Sequence, residues 1–444
     1  MILSVLVAIA GILSPSLVSS LVVQNIVIRS TGQILTSNVM ARSGSVADIQ
    51  AAVNLAAAAG GGSVYIPAGA FNFVEVGQPW VTVNVPAGVS IFGAKTQRDA
   101  EDQVVEWKTT LVMPYEVPTS GPNDTPAWFA VQLDESNTNK TFRFSDIKLV
   151  GWRFFNHSST TMYCGLKIYL CPWGTYLVKG MQNIRVDHCD FQDMAGCAVD
   201  FQPTTAIHNR RVISGVIDHN RMVNSYGNPA TMDYEHRTLG YGIAAGRWAC
   251  DIWDYNLSNV IGQYTNYTVF IEDNYFSKWR HCVASNDGVH YVFRHNVVDG
   301  DYGTGSIDAH GSYADANFPY AVGTRAIEVY DNIFENPDTT WGAGTWAINL
   351  RGGSGIVFNN TLVGYYALMD ITNDVGNYAP YCPQCHLNQT YIWNNGLGSG
   401  TLVHNKYDVQ LDVNYFLREP SLAQDGFDYM PYQYPHPITL NESG

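Results

Sequence analysis

Residues 270–277 read FIEDNYFS and residues 292–299 read VFRHNVVD. Each is an apolar strand that ends in one polar residue, an Asn, any residue and then an apolar one. The same shape returns in VIDHNRMV (216–223), EVYDNIFE (328–335), IVFNNTLV (356–363) and YIWNNGLG (391–398). IRVDHCDF (184–191) fits with Cys189 in the Asn place, and IKLVGWRF (147–154) fits more loosely with Trp152. A strand with a fixed corner that recurs along the chain is the signature of a solenoid, because no single unit can bury its apolar face alone. Asn suits such a corner, since it tolerates a left-handed bend and its amide both donates and accepts along a stack. The polar residue before it (His188, His219, Asp273, His295, Asp331, Asn359, Asn394) reads with it as architecture rather than chemistry. The long step from Asn220 to Asn274 leaves room for one unrecognised coil or an insertion around 224–265.

A second strand follows most corners: GCAVDFQ (196–202), YGIAAGR (241–247), HCVASND (281–287), GSIDAHG (305–311), WAINLRG (346–352) and ALMDITN (367–373). Its third column is apolar (Ala198, Ile243, Val283, Ile307, Ile348, Met369), so side-chain alternation sends the fourth and sixth columns outward. The fourth holds Val199, Ala244, Ala284, Asp308, Asn349 and Asp370. Polarity switches on over the last three rungs, as Asp308/His310, Asn349/Arg351 and Asp370/Thr372, with Arg280 and His281 beside an earlier rung.

The stretch SVADIQAAVNLAAAAGGGSVYIPAGAFNF (45–73) differs. Ile49, Ala52, Val53 and Ala56 fall at helical spacing, and Gly60–Gly62 end the helix before a strand. This segment resembles the N-terminal cap helix and first coil of right-handed parallel β-helix proteins of the pectate-lyase superfamily, and the Asn corners extend the likeness to about residue 400. The resemblance implies an all-β, right-handed parallel β-helix solenoid of three parallel sheets with an N-terminal cap helix. It also implies a carbohydrate-binding groove along one sheet. The expected organisation is a signal peptide or anchor at 1–20, the capped β-helix at 21–405, and a Pro/Tyr-rich tail at 406–444 that packs on the solenoid.

Composition agrees with strands. The chain holds 40 Gly and 27 Tyr with only 14% charged residues. A formal net charge of −15 argues against nucleic acid or an anionic membrane surface as partner. The apolar N-terminus reads as a secretory signal, and a membrane association follows only if it stays uncleaved. Sequons at Asn123, Asn139, Asn156, Asn256, Asn266, Asn359, Asn388 and Asn441 and the 8 cysteines fit a secreted or cell-surface protein. CPQCH (382–386) matches the c-type haem attachment pattern, with Cys382 and Cys385 as thioether partners and His386 as axial ligand. A local disulfide between those two cysteines is the other reading.

Three functions compete for the polar patch, with an extracellular polysaccharide as the common partner. A uronate lyase would use His310 or Arg351 as base or carboxylate contact, with Arg280, His281 and Asn349 binding substrate. Asp308, Asn349 and Asp370 would then be hard oxygen ligands for Ca²⁺. An inverting glycoside hydrolase would use Asp308 and Asp370 as its acid and base, two rungs apart. A non-catalytic carbohydrate-binding or adhesive surface protein would stack sugars on Trp341, Trp346, Tyr365 and Tyr366. The sequence does not specify an oligomeric state.

Overall fold

The computed structural model describes residues 23–28, 34–76, 82–114, 127–133, 141–151, 164–170, 181–194, 197–202, 213–224, 241–245, 261–262, 268–286, 288–301, 305–311, 323–336, 346–373, 386–405 and 408–440. One coil shows the plan. Thr268–Glu272 lies in a first sheet, Asp273 and Asn274 turn the corner, Tyr275–Trp279 enters a second sheet and His281–Ser285 a third. The chain then returns to the first sheet at His290–Arg294, paired parallel with Thr268–Glu272. Repetition builds sheets of 13, 9 and 10 strands. The result is a right-handed parallel β-helix, the hand that crossovers between parallel strands take. The inward residues fuse into one core, including Ile217, Ile271, Phe293, Val329 and Val357 from the first sheet and Val283, Ile307, Ile348 and Met369 from the third.

The corner column is a continuous amide ladder. Asn296 Nδ2 donates to the carbonyls of Ile271 (2.9 Å) and Arg294 (2.8 Å). Its Oδ1 accepts from the backbone N–H of Asn274 at 2.9 Å and from the Asn274 amide at 3.1 Å. The pattern repeats through Asn220, Asn332, Asn360 and Asn395, and it begins at Cys189, whose N–H donates to Asn220 Oδ1 at 3.0 Å. The left-handed residue is not the Asn. It is the one before it: His188, His219, Asp273, His295, Asp331, Asn359 and Asn394 have φ between 51° and 57°. An earlier corner lies at Asp146 (φ 64°), with Phe142 paired to Ile184 and Ser145 to Asp187. FRFSDIKL (142–149) is therefore the true first copy and Ile147 the ladder position, rather than Trp152, which lies outside the described residues. Ile147 has neither a polar side chain nor an amide, so the repeat is invisible there. Ile213–Asp218 pairs directly with Thr268–Glu272, so the long step after Asn220 is an insertion and not a hidden coil.

The cap helix Val46–Ala58 opens with Ser45 accepting from the Asp48 N–H and buries Ile49, Ala52, Val53 and Ala56. Gly62 (φ +143°) ends the turn against Ser37, whose carbonyl oxygen would lie 1.7 Å from an added Cβ. The first sheet starts before the helix: Ile34–Met40 pairs parallel with Gly62–Tyr65 and antiparallel with Val23–Ile28. At the other end Tyr415–Phe416 adds one more rung beyond Thr390–Trp393. The Pro/Tyr-rich segment then runs back along the outer face of the first sheet. Phe427, Tyr429, Tyr432 and Ile438 pack on Val216, Phe270, Val292, Tyr330, Ile356 and Tyr391. Arg294 donates to the carbonyls of Tyr432 (2.7 Å) and Gln433 (3.0 Å), and Tyr429 Oη donates to Glu328 at 2.7 Å.

Asn296→Ala would strip partners from two buried carbonyls and from the Asn274 N–H. We expect a loss of about 3 kcal/mol or more, read from a denaturant midpoint. At half-buried Asn395 the same change should cost about 1 kcal/mol, because water reaches the freed groups.

Candidate functional site

With the outer face of the first sheet covered, the polar outer face of the third sheet is the place to examine. Its register pairs Ala284 with Asp308, Asp308 with Asn349, Asn349 with Asp370 and Asp370 with His404. The expected column is thus real over its last rungs, and His404 belongs to it. At the other end the expectation slips by one residue. Val199 pairs with Ile243 and Asp200 with Ala244, so Asp200 shares the outward column and Val199 does not. CAVDFQ is apolar on both sides of Asp200 with small Ala198 next to Val199, so its alternation reads equally well in either phase.

Asp308 is the centre of an ionic cluster. It is buried, and its Oδ2 lies 2.8 Å from His310 Nε2 and accepts from Arg351 Nη2 at 3.2 Å. Arg351 Nε pairs with Oδ1 at 3.2 Å, and Asn349 Nδ2 donates to the same oxygen at 3.1 Å. Burial opposes ionisation of Asp308, but His281, His310 and Arg351 outweigh it and hold the carboxyl well below the usual range.

His281 lies beneath this cluster. Its Nδ1 faces the Gly305 carbonyl at 2.5 Å and its Nε2 is 3.4 Å from Asp308 Oδ2. Burial pushes its imidazole down to about 4, so it is neutral at pH 7 with its proton on Nδ1. Tyr241 stacks on the His281 ring, and Arg280 reaches the Tyr241 hydroxyl at 3.4 Å. Arg280 therefore belongs to the rim, while His281 is a core residue closed off from a ligand.

One rung along from Asn349, Asp370 is buried and its Oδ1 holds His404 Nδ1 at 2.6 Å. The His404 side chain is 44% exposed and its ring lies parallel to Trp346, 5.6 Å between centroids. Tyr366 stands exposed beside it. Tyr365, expected at the surface, is buried with its hydroxyl 2.8 Å from Ser306 Oγ. Trp341 lies outside the described residues. The signal for His404 was present in TLVHN (401–405), where apolar Val403 precedes the polar position just as Ile307 precedes Asp308.

The donor set does not fit Ca²⁺. That ion wants six to eight oxygens, whereas both oxygens of Asp308 already face Arg351, His310 or the Asn349 amide, and Asp370 faces His404. Two cationic or N–H-donating neighbours on one carboxylate repel a second cation. Thr372 is buried beside the column.

The remaining expectations divide by position. Cys189, Cys197 and Cys282 are buried. Cys382 and Cys385 lie outside the described residues, and His386 Nδ1 is 3.0 Å from Asn373 Nδ2. Among the sequons, Asn359 is exposed, while Asn388 is half-buried with its amide bonded to Ser354 Oγ and the His386 carbonyl. Asn123, Asn139, Asn156, Asn256, Asn266 and Asn441 lie outside the described residues, as does the apolar stretch 1–20. Among the described residues no helix is long and apolar enough to cross a membrane.

No family model matches the chain, and no curated protein is similar to it in sequence. Among solved structures it is similar to the Azotobacter vinelandii mannuronan C-5 epimerase AlgE6 A-module, at 15% identity over 81% of this chain and 92% of that one, TM-score 0.41. An alginate lyase from Paenibacillus is similar at 10% identity, covering 83% and 98%, TM-score 0.41. A Thermotoga maritima exopolygalacturonase is similar at 11% identity, covering 86% and 83%, TM-score 0.43. None of them assigns a residue here.

The unfolded chain accepts a proton on His281 near pH 6.5, whereas the folded chain refuses it until about 4. Unfolding therefore takes up a proton in that window, and this residue's contribution makes stability fall as pH drops through it, by up to about 3 kcal/mol. His281→Asn keeps a donor for Gly305 and removes the titration. Its stability–pH slope between 6.5 and 4 should be flatter than wild type in denaturant titrations.

Proposed function

We propose that this β-helix acts on an extracellular polysaccharide containing uronate residues and cleaves it by β-elimination. The observation that carries the reading is the His404–Asp370 dyad, in which an exposed imidazole two rungs from Asn349 and Arg351 is fixed by the buried carboxylate of the rung between. Asp370 accepts the Nδ1 proton, which leaves the Nε2 lone pair to act as the base. That nitrogen takes the proton α to the uronate carboxylate. The C–H electron pair forms the new carbon–carbon double bond as the glycosidic C–O bond breaks, and the departing oxygen takes a proton from the imidazolium or from water. Such a base is worth roughly 10²–10⁴-fold in rate.

Arg351 and Asn349 hold the carboxylate, whose charge grows as the proton leaves. Trp346 and Tyr366 border the sugar path, where aromatic faces stack on the apolar faces of pyranose rings. His310, the base expected from sequence, is tied through Nε2 to Asp308, and its Nδ1 is shielded from solvent. Its part is to position Arg351 through their shared carboxylate.

A lyase is favoured over an inverting hydrolase by the pairing of both carboxylates. A hydrolase needs one carboxyl to give a proton and the other to activate water, whereas Asp308 is ion-paired with Arg351 and His310 and Asp370 is bonded to His404. The protein should raise the ultraviolet absorbance of unsaturated uronate from uronate-containing polysaccharides and not from neutral ones. His404→Ala should stay folded by circular dichroism and lose at least about 10²-fold in rate. A flat trace across the panel, or full activity in His404→Ala, would overturn the assignment. Asp308→Asn is the variant to choose at the cluster, because it keeps an acceptor for Arg351 and for the buried Asn349 amide, whereas Asp308→Ala removes that acceptor and should cost about 1–3 kcal/mol of stability.

A further inference from the structure

The histidines of the corner column read as architecture in the sequence, yet two of them converge on a third group. One donor atom from each of Asp102, His188 and His219 lies within 4.8 Å of the others, the one such gathering of three or more His, Cys, Asp or Glu among the described residues. His188 Nε2 is 3.1 Å from Asp102 Oδ2. Its Nδ1 is 2.7 Å from Asp187 Oδ2, and His219 Nδ1 is 3.0 Å from Asp218 Oδ2. Asp187 and Asp218 are buried and are themselves fixed, by Arg143 at 2.6 Å and Arg185 at 2.7 Å.

Asp102 arrives from outside the coil. It sits in the connection of the hairpin formed by Gln97–Arg98 and Val104–Glu106, with φ 60°. Trp107 Nε1 donates to the His188 carbonyl at 2.9 Å and Arg98 pairs with Asp146 at 3.2 Å, so the hairpin is fastened over these corners. Arg98 also shares the other Asp102 oxygen, Oδ1, at 3.2 Å.

An imidazole oriented through one nitrogen by a carboxylate presents its other nitrogen to a metal, and that outer carboxylate raises its basicity. Two such rings with one carboxylate oxygen form an N,N,O set, suited to zinc and its first-row neighbours rather than to calcium or magnesium. Zinc–ligand bonds of about 2.0–2.1 Å place two ligands of one ion about 3.3 Å apart. The Asp102–His188 pair already meets this. The rings stack with centroids 5.0 Å apart and planes 14° from parallel, so His219, which is only half-buried, must swing in by up to about 1.5 Å.

We propose that Asp102, His188 and His219 bind a divalent transition cation of the zinc class, clasping the 97–106 hairpin to the corners of two successive coils. The site lies on a different sheet from the candidate catalytic column and stands independently of it. Three protein ligands leave a fourth position for water.

The test uses the full chain, purified without a polyhistidine tag and stripped with chelator, titrated calorimetrically with Zn²⁺ and spectroscopically with Co²⁺. One equivalent of zinc and the visible bands of a four- or five-coordinate cobalt ion are expected. Asp102→Asn and His219→Gln, both at positions that remain partly exposed, should fold as wild type by circular dichroism and weaken zinc by at least about tenfold. His295→Gln, in the same corner column but outside the cluster, should bind like wild type. Absence of a stoichiometric site, or undiminished binding in Asp102→Asn, would overturn the proposal.

Discussion

A single asparagine amide decides where each coil stands on the next. Its NH₂ group satisfies two main-chain carbonyls, and its oxygen receives the N–H and amide of the neighbouring asparagine, as Asn274, Asn296 and Asn332 do in succession. A shift of one residue in any rung would break several buried hydrogen bonds at once. The ladder therefore fixes register in the first sheet, and the short path round the coil transmits it to the third. The alignment of Asp308, Asn349, Asp370 and His404 is a consequence of bonds made on another sheet.

The outer faces of the solenoid use buried charge in two ways. On the first sheet, Arg185 with Asp218 and Arg294 with Glu272 neutralise each other, and the returning C-terminal segment seals them. These pairs have no route to a ligand. On the third sheet the carboxylates are equally buried, but their histidine and arginine partners reach the surface to different degrees. His404 is the most open of them, which separates a carboxylate that orients a base from one that only balances charge.

Repetition made the architecture legible. An Asn corner that recurs in FIEDNYFS, VFRHNVVD and EVYDNIFE can be read without coordinates, because every copy answers the same hydrogen-bonding demand. Legibility failed where a copy met that demand by other means. Ile147 occupies the ladder without an amide, and Trp152 was read in its place. Of the site, Asp308, Asn349 and Asp370 could be aligned from alternation, since Ile307, Ile348 and Met369 are unambiguous inward residues. Asp200 was lost to the flat apolar contrast around Ala198 and Val199. The roles were less legible than the positions. Alternation places a side chain on a face and says nothing of whether Arg351 will turn onto Asp308, or of a hairpin bringing Asp102 to His188 from 86 positions away.

The C-terminal segment has a consequence in the order of synthesis. Phe270, Tyr330 and Tyr391, with the ion pairs among them, are covered by residues 427–439. Chains are made from the N-terminus, so every coil beneath that segment leaves the ribosome before its cover does. During that interval the nascent solenoid displays a stripe of aromatic rings and unsealed charges along one side. The later residues, in closing that stripe, fasten back onto strands made as many as 254 residues earlier, as the bond from Arg185 to the Thr439 carbonyl records.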